Sequence, residues 1–207
     1  KIKDDCYNTV KTFLDKDTKN LYKRLGIPYK LNILFEGVPG SGKSSLVKSI
    51  ASELNLNIAI LYFNKDLDDI RLSRAIKKVP KNTILLLEDI DTLFVERKKN
   101  DDFKNAVSFS GLLNFMDGMS YKNGLIIFAS TNHSDKLDPA LIRPGRVDKI
   151  YHFDFIKKEQ ANEMYKMFFP NNNNFDDLWN QIKNIKITAA TLQQTYFKYY
   201  NQELTKQ

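Results

Sequence analysis

Cysteine is nearly absent: Cys6 stands alone among 207 residues. No intrachain disulfide can form, and the usage suits a reducing compartment. Two histidines beside that single cysteine exclude a zinc cluster of the usual kind. Long apolar runs are missing too. "IAILYF", "ILLL" and "LIIFA" are four to six residues each, against the roughly 18–20 needed to cross a bilayer. No membrane span is expected, and the N-terminal residues lack a signal-peptide pattern. Runs of like charge are also missing. The net charge of +7 is scattered: the first thirty residues carry eight basic and four acidic side chains, whereas residues 151–207 carry seven lysines against six acids. This balance leaves a nucleic-acid surface open, but a lysine-rich solvated face accounts for it without one. At 42% hydrophobic and 28% charged the composition is that of a soluble globular chain and not a disordered one. Its length allows one large core with a smaller domain beside it.

What is present is concentrated in one stretch, "FEGVPGSGKSSL" (35–46). An apolar run, "LNILF", precedes it, and Leu46, Ile50 and Leu54 recur at helical spacing after it. The glycines therefore fall in a strand-to-helix turn, the context in which G-x-x-x-x-G-K-[ST] carries a mechanism. Gly37, Gly40 and Gly42 let the main chain approach a ligand closely. The N–H groups of Gly37, Val38, Pro39's neighbours, Ser41 and Ser45 converge on an anion, helped by the positive end of the helix. Lys43 reaches terminal phosphates, and Ser44 supplies a hydroxyl for Mg²⁺. The expected ligand is a nucleoside triphosphate.

Along the chain, amphipathic segments at 4–14 and 16–25 lead to a Gly/Pro break. Strands expected at 32–36, 57–63, 83–88, 124–130 and about 149–153 alternate with helices at 43–54, 67–78 and around Phe109–Met116; a charged loop occupies 95–105. Such alternation implies an α/β fold, a parallel sheet flanked by helices, with ligands bound beyond the carboxyl ends of the strands. After residue 154 the pattern turns helical, with Ala161, Met164, Tyr165 and Phe168 on one face and Leu192, Tyr196 and Tyr199 on another, separated by "NNNN". The expected division is a large α/β domain at 1–154 and a small helical domain at 155–207.

Binding needs the loop alone, whereas hydrolysis needs a metal-holding acid, a group that orients water and positive charge for the transition state. "ILLLEDID" delivers Glu88 and Asp89 at a strand end, with Asp91 two residues on, which suits Mg²⁺ and an attacking water. "LIIFAST" ends in Asn132, a neutral group where water or a γ-phosphate could sit. In "LDPALIRPGRVDK", Arg143 and Arg146 are two of only six arginines. They flank Pro144–Gly145 on a turn, from which they could reach a neighbouring subunit's γ-phosphate.

Together these residues resemble the AAA+ ATPases. "GIPYK", "GKSSL", "LLLEDID", "VSFSGLLNFMDGM", "TNH" and "LDPALIRPGRVD" are similar to the core of the Bcs-type AAA proteins, from about residue 2 to 200. That family includes mitochondrial chaperones that move the folded Rieske protein across the inner membrane. The resemblance implies a P-loop NTPase core of the AAA+ kind with a C-terminal helical lid. It implies ATP and Mg²⁺ as ligands, and a homo-oligomeric ring of six or seven subunits acting on protein cargo. It aligns Gly37 to Ser44 with Walker A, Asn132 with sensor 1, and Arg143 and Arg146 with the arginine-finger positions. Glu88 takes the metal-side position of Walker B and Asp89 the water-activating one, with the opposite assignment left open. Residues near Asp5–Cys6 align with the segment that contacts adenine. The compartment would be the cytoplasm, or the matrix side for a mitochondrial member.

The sequence also departs from the family. Glu36 stands where an aromatic is usual, and Val38 and Ser41 replace Pro and Cys. An acid beside a phosphate loop is unhelpful unless it faces away. No arginine follows 146, so the lid has no sensor-2 arginine. "YFNKDLDD" lacks the aromatic–apolar–Gly grip used to thread unfolded peptide. Two other readings are an ATP-driven nucleic-acid motor or loader, supported only by the basic balance, and a small-molecule P-loop kinase, opposed by the arginine turn and the helical tail.

Overall fold

The computed structural model describes residues 1–93, 107–117, 124–172 and 174–204; the charged loop expected at 95–105 lies outside them. Five strands form one sheet: β1 (Lys30–Gly37), β2 (Asn57–Tyr62), β3 (Thr83–Glu88), β4 (Leu125–Thr131) and β5 (Lys149–Phe153), in the order β2-β3-β4-β1-β5. The β1/β4, β3/β4 and β2/β3 pairs are parallel. The apolar runs of β3 and β4 are buried along nearly their whole length, as expected of strands covered on both faces. β2 is the edge, and its residues are only partly covered.

The chain divides into two compact units. The first comprises Lys1–Glu36 and Lys43–His152; the second comprises Gly37–Gly42 and the chain from Phe153 on. The first unit holds the helices α1 (Ile2–Leu14), α2 (Lys16–Leu25), α3 (Lys43–Glu53), α4 (Asp69–Lys78) and α5 (Phe109–Asp117). Its largest buried cluster joins Leu85 and Leu87 of β3 and Ile127 of β4 to Leu72 and Ile76 of α4 and to Leu112, Phe115 and Met116 of α5.

α1 is tied to β5 by polar contacts. Lys149 Nζ donates to Asp5 Oδ2 and to Thr9 Oγ1, both at 2.9 Å, and Tyr151 OH donates to Asp5 at 2.7 Å. Cys6 beside them is fully buried, and burial pushes its thiol up to about 12. The Asp5 carboxylate and the Cys6 side chain, expected near adenine, are thus committed to this packing.

α5 begins in a second polar knot. Asp69 accepts from Ser108 N at 2.7 Å and from Ser108 Oγ at 2.6 Å, while Gly111 N donates to Ser108 Oγ at 2.8 Å. Ser108 therefore caps the helix. Glycine at 111 leaves room for Asp69: a Cβ there would lie 2.1 Å from Asp69 Oδ1 and force that carboxylate to shift. This is a packing reason for the serine and glycine of "SFSG".

In the second unit, α6 (Lys158–Phe168), α7 (Phe175–Ile182) and α8 (Ala189–Leu204) surround a core of Ala161, Tyr165, Phe169, Phe175, Leu192 and Tyr196. α7 was not expected from sequence. Its Phe175, Leu178, Trp179 and Ile182 have helical spacing, and Asp176 and Asp177 fill its first turn, but an asparagine run and two acids at its start read as loop. Among the described residues no helix is long and apolar enough to cross a membrane.

Gly111→Ala should displace Asp69 and lower stability by about 1–3 kcal/mol, the worth of two lost hydrogen bonds. In an Asp69→Ala background the same change should be neutral or stabilising, because alanine favours helix by about 1 kcal/mol. Urea unfolding of the four variants measures both.

Candidate active site

The parallel register brings the strand ends level, pairing Glu36 with Thr131 and Tyr62 with Glu88. The site side chains of the first unit gather just beyond. Lys43, the first residue of α3, is only 8% exposed. Its amine donates to Asn132 Oδ1 at 2.8 Å. Asn132 Nδ2 in turn donates to Asp89 Oδ1 at 2.9 Å. One amide thus joins Lys43 to Asp89. Burial lowers the Lys43 pKa, with Asp89 and Asp91 opposing. Burial raises that of Asp89, reinforced by Asp91 and Glu88, with Lys43 and Asn132 opposing.

Asp89 has φ 49°, a left-handed conformation that is uncommon outside glycine and costs of order 1–3 kcal/mol. Its backbone is held from both sides. Its N–H donates to Ser130 Oγ at 3.2 Å, and Ile90 N donates to Ser130 O at 3.0 Å. Its carbonyl accepts from Thr92 N at 3.0 Å and Thr92 Oγ1 at 2.7 Å. The turn aims the Asp89 carboxylate at Asn132 instead of letting it continue the strand's alternation.

Ser44 Oγ donates to Glu88 Oε1 at 2.5 Å. A hydroxyl and a carboxylate held together beside a second carboxylate form the hard oxygen set that suits Mg²⁺, so the residues fit the ion. Tyr62, across the β2/β3 pair, was not anticipated. Strand register sets it beside Glu88, and its pKa is raised by the charge of that carboxylate and by hydrogen bonding to it. Strand register was the only signal for it.

Asp91 supports the arrangement from below. It is 5% exposed and accepts from Thr131 Oγ1 at 2.9 Å and from Asn132 N at 3.3 Å. Glu36 turns to His152 and contacts its Nδ1; the acid next to the phosphate loop has a partner of its own.

Gly37–Gly42 belong to the second unit. Gly37, Gly40 and Gly42 have φ of 139°, 74° and 101°, values that L side chains rarely adopt. Ser41 Oγ donates to Val38 O at 2.7 Å, and Gly40 O accepts from Ala190 N at 3.0 Å, near the start of α8.

The structure treats the two arginines differently. Arg143 is exposed, and no hydrogen bond or ion pair of its side chain occurs among the described residues. Arg146 is bound within its own chain: Nε donates to Asp117 Oδ1 at 2.7 Å, one Nη to Asp117 Oδ2 at 3.0 Å, and the other to Ala140 O at 2.8 Å.

Comparison with known proteins agrees with this geometry. Residues 33–155 match the model of the family described as "ATPase family associated with various cellular activities (AAA)". The chain is 40% identical over 171 residues to the probable mitochondrial chaperone bcs1 of Schizosaccharomyces pombe, a match covering 81% of this chain and 37% of that protein. It is 37% identical over 176 residues to the human mitochondrial chaperone BCS1, covering 82% and 42%. It is 39% identical over 145 residues to an AAA-ATPase of Arabidopsis thaliana, covering 66% and 32%. The chain therefore spans less than half the length of these relatives.

Asp91→Ala should remove the acceptor of the Thr131 hydroxyl proton and of Asn132 N and destabilise the fold by about 1–3 kcal/mol. Asp91→Asn, which keeps one acceptor oxygen, should cost less. Denaturant midpoints of the two variants decide the order.

Proposed function

This chain belongs to the AAA family of ATPases, and on that premise we propose that it hydrolyses ATP with Mg²⁺ as a subunit of a homo-oligomeric ring that remodels or moves protein. Its similarity to proteins named mitochondrial chaperones supports the protein cargo. The observation that carries the reading is the chain of contacts from Lys43 through Asn132 to Asp89, with Ser44 and Glu88 beside it. A bare phosphate-binding turn has no need of a strained acid oriented by an amide.

Each residue has a distinct role in this reading. The loop Gly37, Val38, Pro39, Gly40, Ser41 and Gly42, continuing into Lys43, Ser44 and Ser45, cradles the phosphates with the backbone N–H groups of every residue but Pro39, which has none. The Lys43 amine, already withdrawn from water, neutralises their charge. Ser44 and Glu88 would hold Mg²⁺, which supplies charge neutralisation between the β- and γ-phosphates when bound. Asp89, with its pKa raised and its carboxylate fixed by Asn132, accepts the proton of the attacking water. Asn132 holds that water and the acid in line.

Positive charge for the transition state comes from a second copy. The Arg143 turn is anchored to Lys30 and Asn32 at the start of β1, whereas Glu88 lies at the opposite, carboxyl end of the parallel sheet. This separation favours delivery of Arg143 to a neighbour's site.

Asp89→Asn should reduce turnover by about 10²–10⁴-fold while ATP binding changes little. Turnover per chain should rise with protein concentration. Lys43→Ala and Arg143→Ala, each inactive, should regain activity when mixed, because an intact site then meets an intact arginine. Phosphate release by the mixture reads this out, and no recovery would overturn the shared site.

A further inference from the structure

The Arg143–Arg146 segment is a turn whose backbone is held at Arg143 O, Gly145 O, Arg146 N and Arg146 O. Arg146 N donates to Arg143 O at 3.0 Å, and Gly145 has φ 89°, the values of a type II turn with proline in its second place and glycine in its third. The carbonyls of this turn face buried donors. Lys30 Nζ donates to Gly145 O at 2.6 Å and also to Met116 O. Asn32 Nδ2 donates to Arg146 O at 2.6 Å and to Met116 O at 3.0 Å. Asn32 N donates to Asp148 Oδ2 at 2.7 Å, and Asp148 N returns a bond to Asn32 O at 2.8 Å. Lys30 is 8% exposed and Asn32 fully buried. One lysine and one asparagine therefore fasten the turn to the end of α5.

The Arg146 guanidinium closes the same seam from above. Its fork meets the Asp117 carboxylate in two parallel bonds, the geometry that gives arginine its directional strength, and its remaining Nη takes Ala140 O. The side chains of the pair are 21% and 28% exposed. The hydrogen bond from Arg146 holds the Asp117 carboxyl below its usual range. Asp117 is the last residue of α5, so the pair joins the turn to the helix whose Met116 carbonyl is already bound by Lys30 and Asn32. Reaching a phosphate would require Arg146 to break three bonds and leave Asp117 unpaired at this seam. Arg143, three residues earlier, has no such side-chain bond to break among the described residues.

We infer that Arg146 is a positioning residue and not a second transition-state cation: its bidentate pair with Asp117 locks the Pro144–Gly145 turn so that Arg143 alone is presented to the nucleotide of a neighbouring copy. The inference rests on the shared-site reading above. It separates two arginines that the motif treats alike and gives Asp117, 26 positions before Arg143 in the sequence, a part in the reaction of another subunit.

The test uses the full chain with Arg146→Ala, Asp117→Ala, Arg143→Ala and the exchanged pair Asp117→Arg with Arg146→Asp, scored for ATP affinity, KM and kcat. Asp117→Ala should lower kcat by about 10- to 10²-fold, the scale of a misplaced group, with KM and ATP affinity within about twofold, matching Arg146→Ala. Arg143→Ala should cost about 10³-fold or more. The exchanged pair should recover at least half of the logarithmic loss in kcat, since it rebuilds the ion pair while placing an acid at 146. Wild-type turnover in Asp117→Ala would overturn the inference, as would an exchanged pair no faster than Arg146→Ala, because an arginine that touches phosphate cannot be replaced by aspartate. If the exchanged pair does not fold, the comparison of Asp117→Ala with Arg146→Ala decides alone. Wild-type turnover in Arg143→Ala would instead sink the shared site itself, whatever Asp117 does.

Discussion

A lysine amine withdrawn from water must be given oxygen, and here the oxygen belongs to an amide. The hydrogen bond from Lys43 to Asn132 fixes much else at the site. Lysine only donates and an ionised carboxylate only accepts, so a residue placed between Lys43 and Asp89 must present an acceptor to one and a donor to the other. Asparagine does both with one short side chain, and the identity of its neighbours dictates which way its amide points. A serine would be too short to span them, and an aspartate would set a second negative charge against Asp89, whose pKa is already raised by burial, Asp91 and Glu88. The strained backbone at Asp89 follows from the same need. A carboxylate continuing the alternation of β3 would not face Asn132; the left-handed turn makes it do so, and Ser130 and Thr92 hold the turn in place. Asp91 completes the unit by anchoring Thr131 and Asn132, so that β3 and β4 present their ends as one piece.

The other end of β1 applies the same principle to backbone. Lys30 and Asn32 are polar residues in a strand that is otherwise core, and each would be expensive there without partners. Their partners are the carbonyls of Met116, Gly145 and Arg146, groups of a turn and a helix end that the sheet and the helix do not pair. The strand thus fastens the arginine turn at its start and leads into the phosphate loop at its finish. In the proposed shared site, this strand would keep the two halves apart within one copy.

Much of this was legible in the sequence because it rests on local patterns. The alternation of apolar runs with helical spacing placed the five strands and the helices that flank them to within a few residues, and the AAA resemblance carried by the phosphate loop, "LLLEDID" and "RPGR" agrees with the family found. Contacts across the sheet were not legible. Nothing in the spacing of Tyr62 and Glu88, 26 residues apart in the chain, says that strand register sets them side by side. The partnership of Asp117 with Arg146 depends on where α5 ends relative to a turn that lies beyond another strand. α7 was hidden for a different reason. Its apolar residues have the right period, but the helix is only eight residues long, and its first turn is rich in acids that a loop would also carry. The difference between Arg143 and Arg146 is the clearest case: two identical side chains on one turn are equivalent in sequence, and only the fold gives Arg146 its bonds to Asp117 and Ala140.

Glu36 shows how a residue that reads as a fault can be neutral in context. A carboxylate immediately before a phosphate loop would repel the ligand the loop is built to hold if its charge faced the anion. In a strand, adjacent residues point to opposite faces, and Glu36, at the end of β1, reaches sideways to His152 on the neighbouring strand β5. The pairing gives the acid a donor outside the loop, so the N–H groups of Gly37–Gly42 do not have to compensate for it. The glycines beyond have positive φ values, which L side chains rarely adopt. What an acid at this place requires is a partner on β5, and His152 provides one.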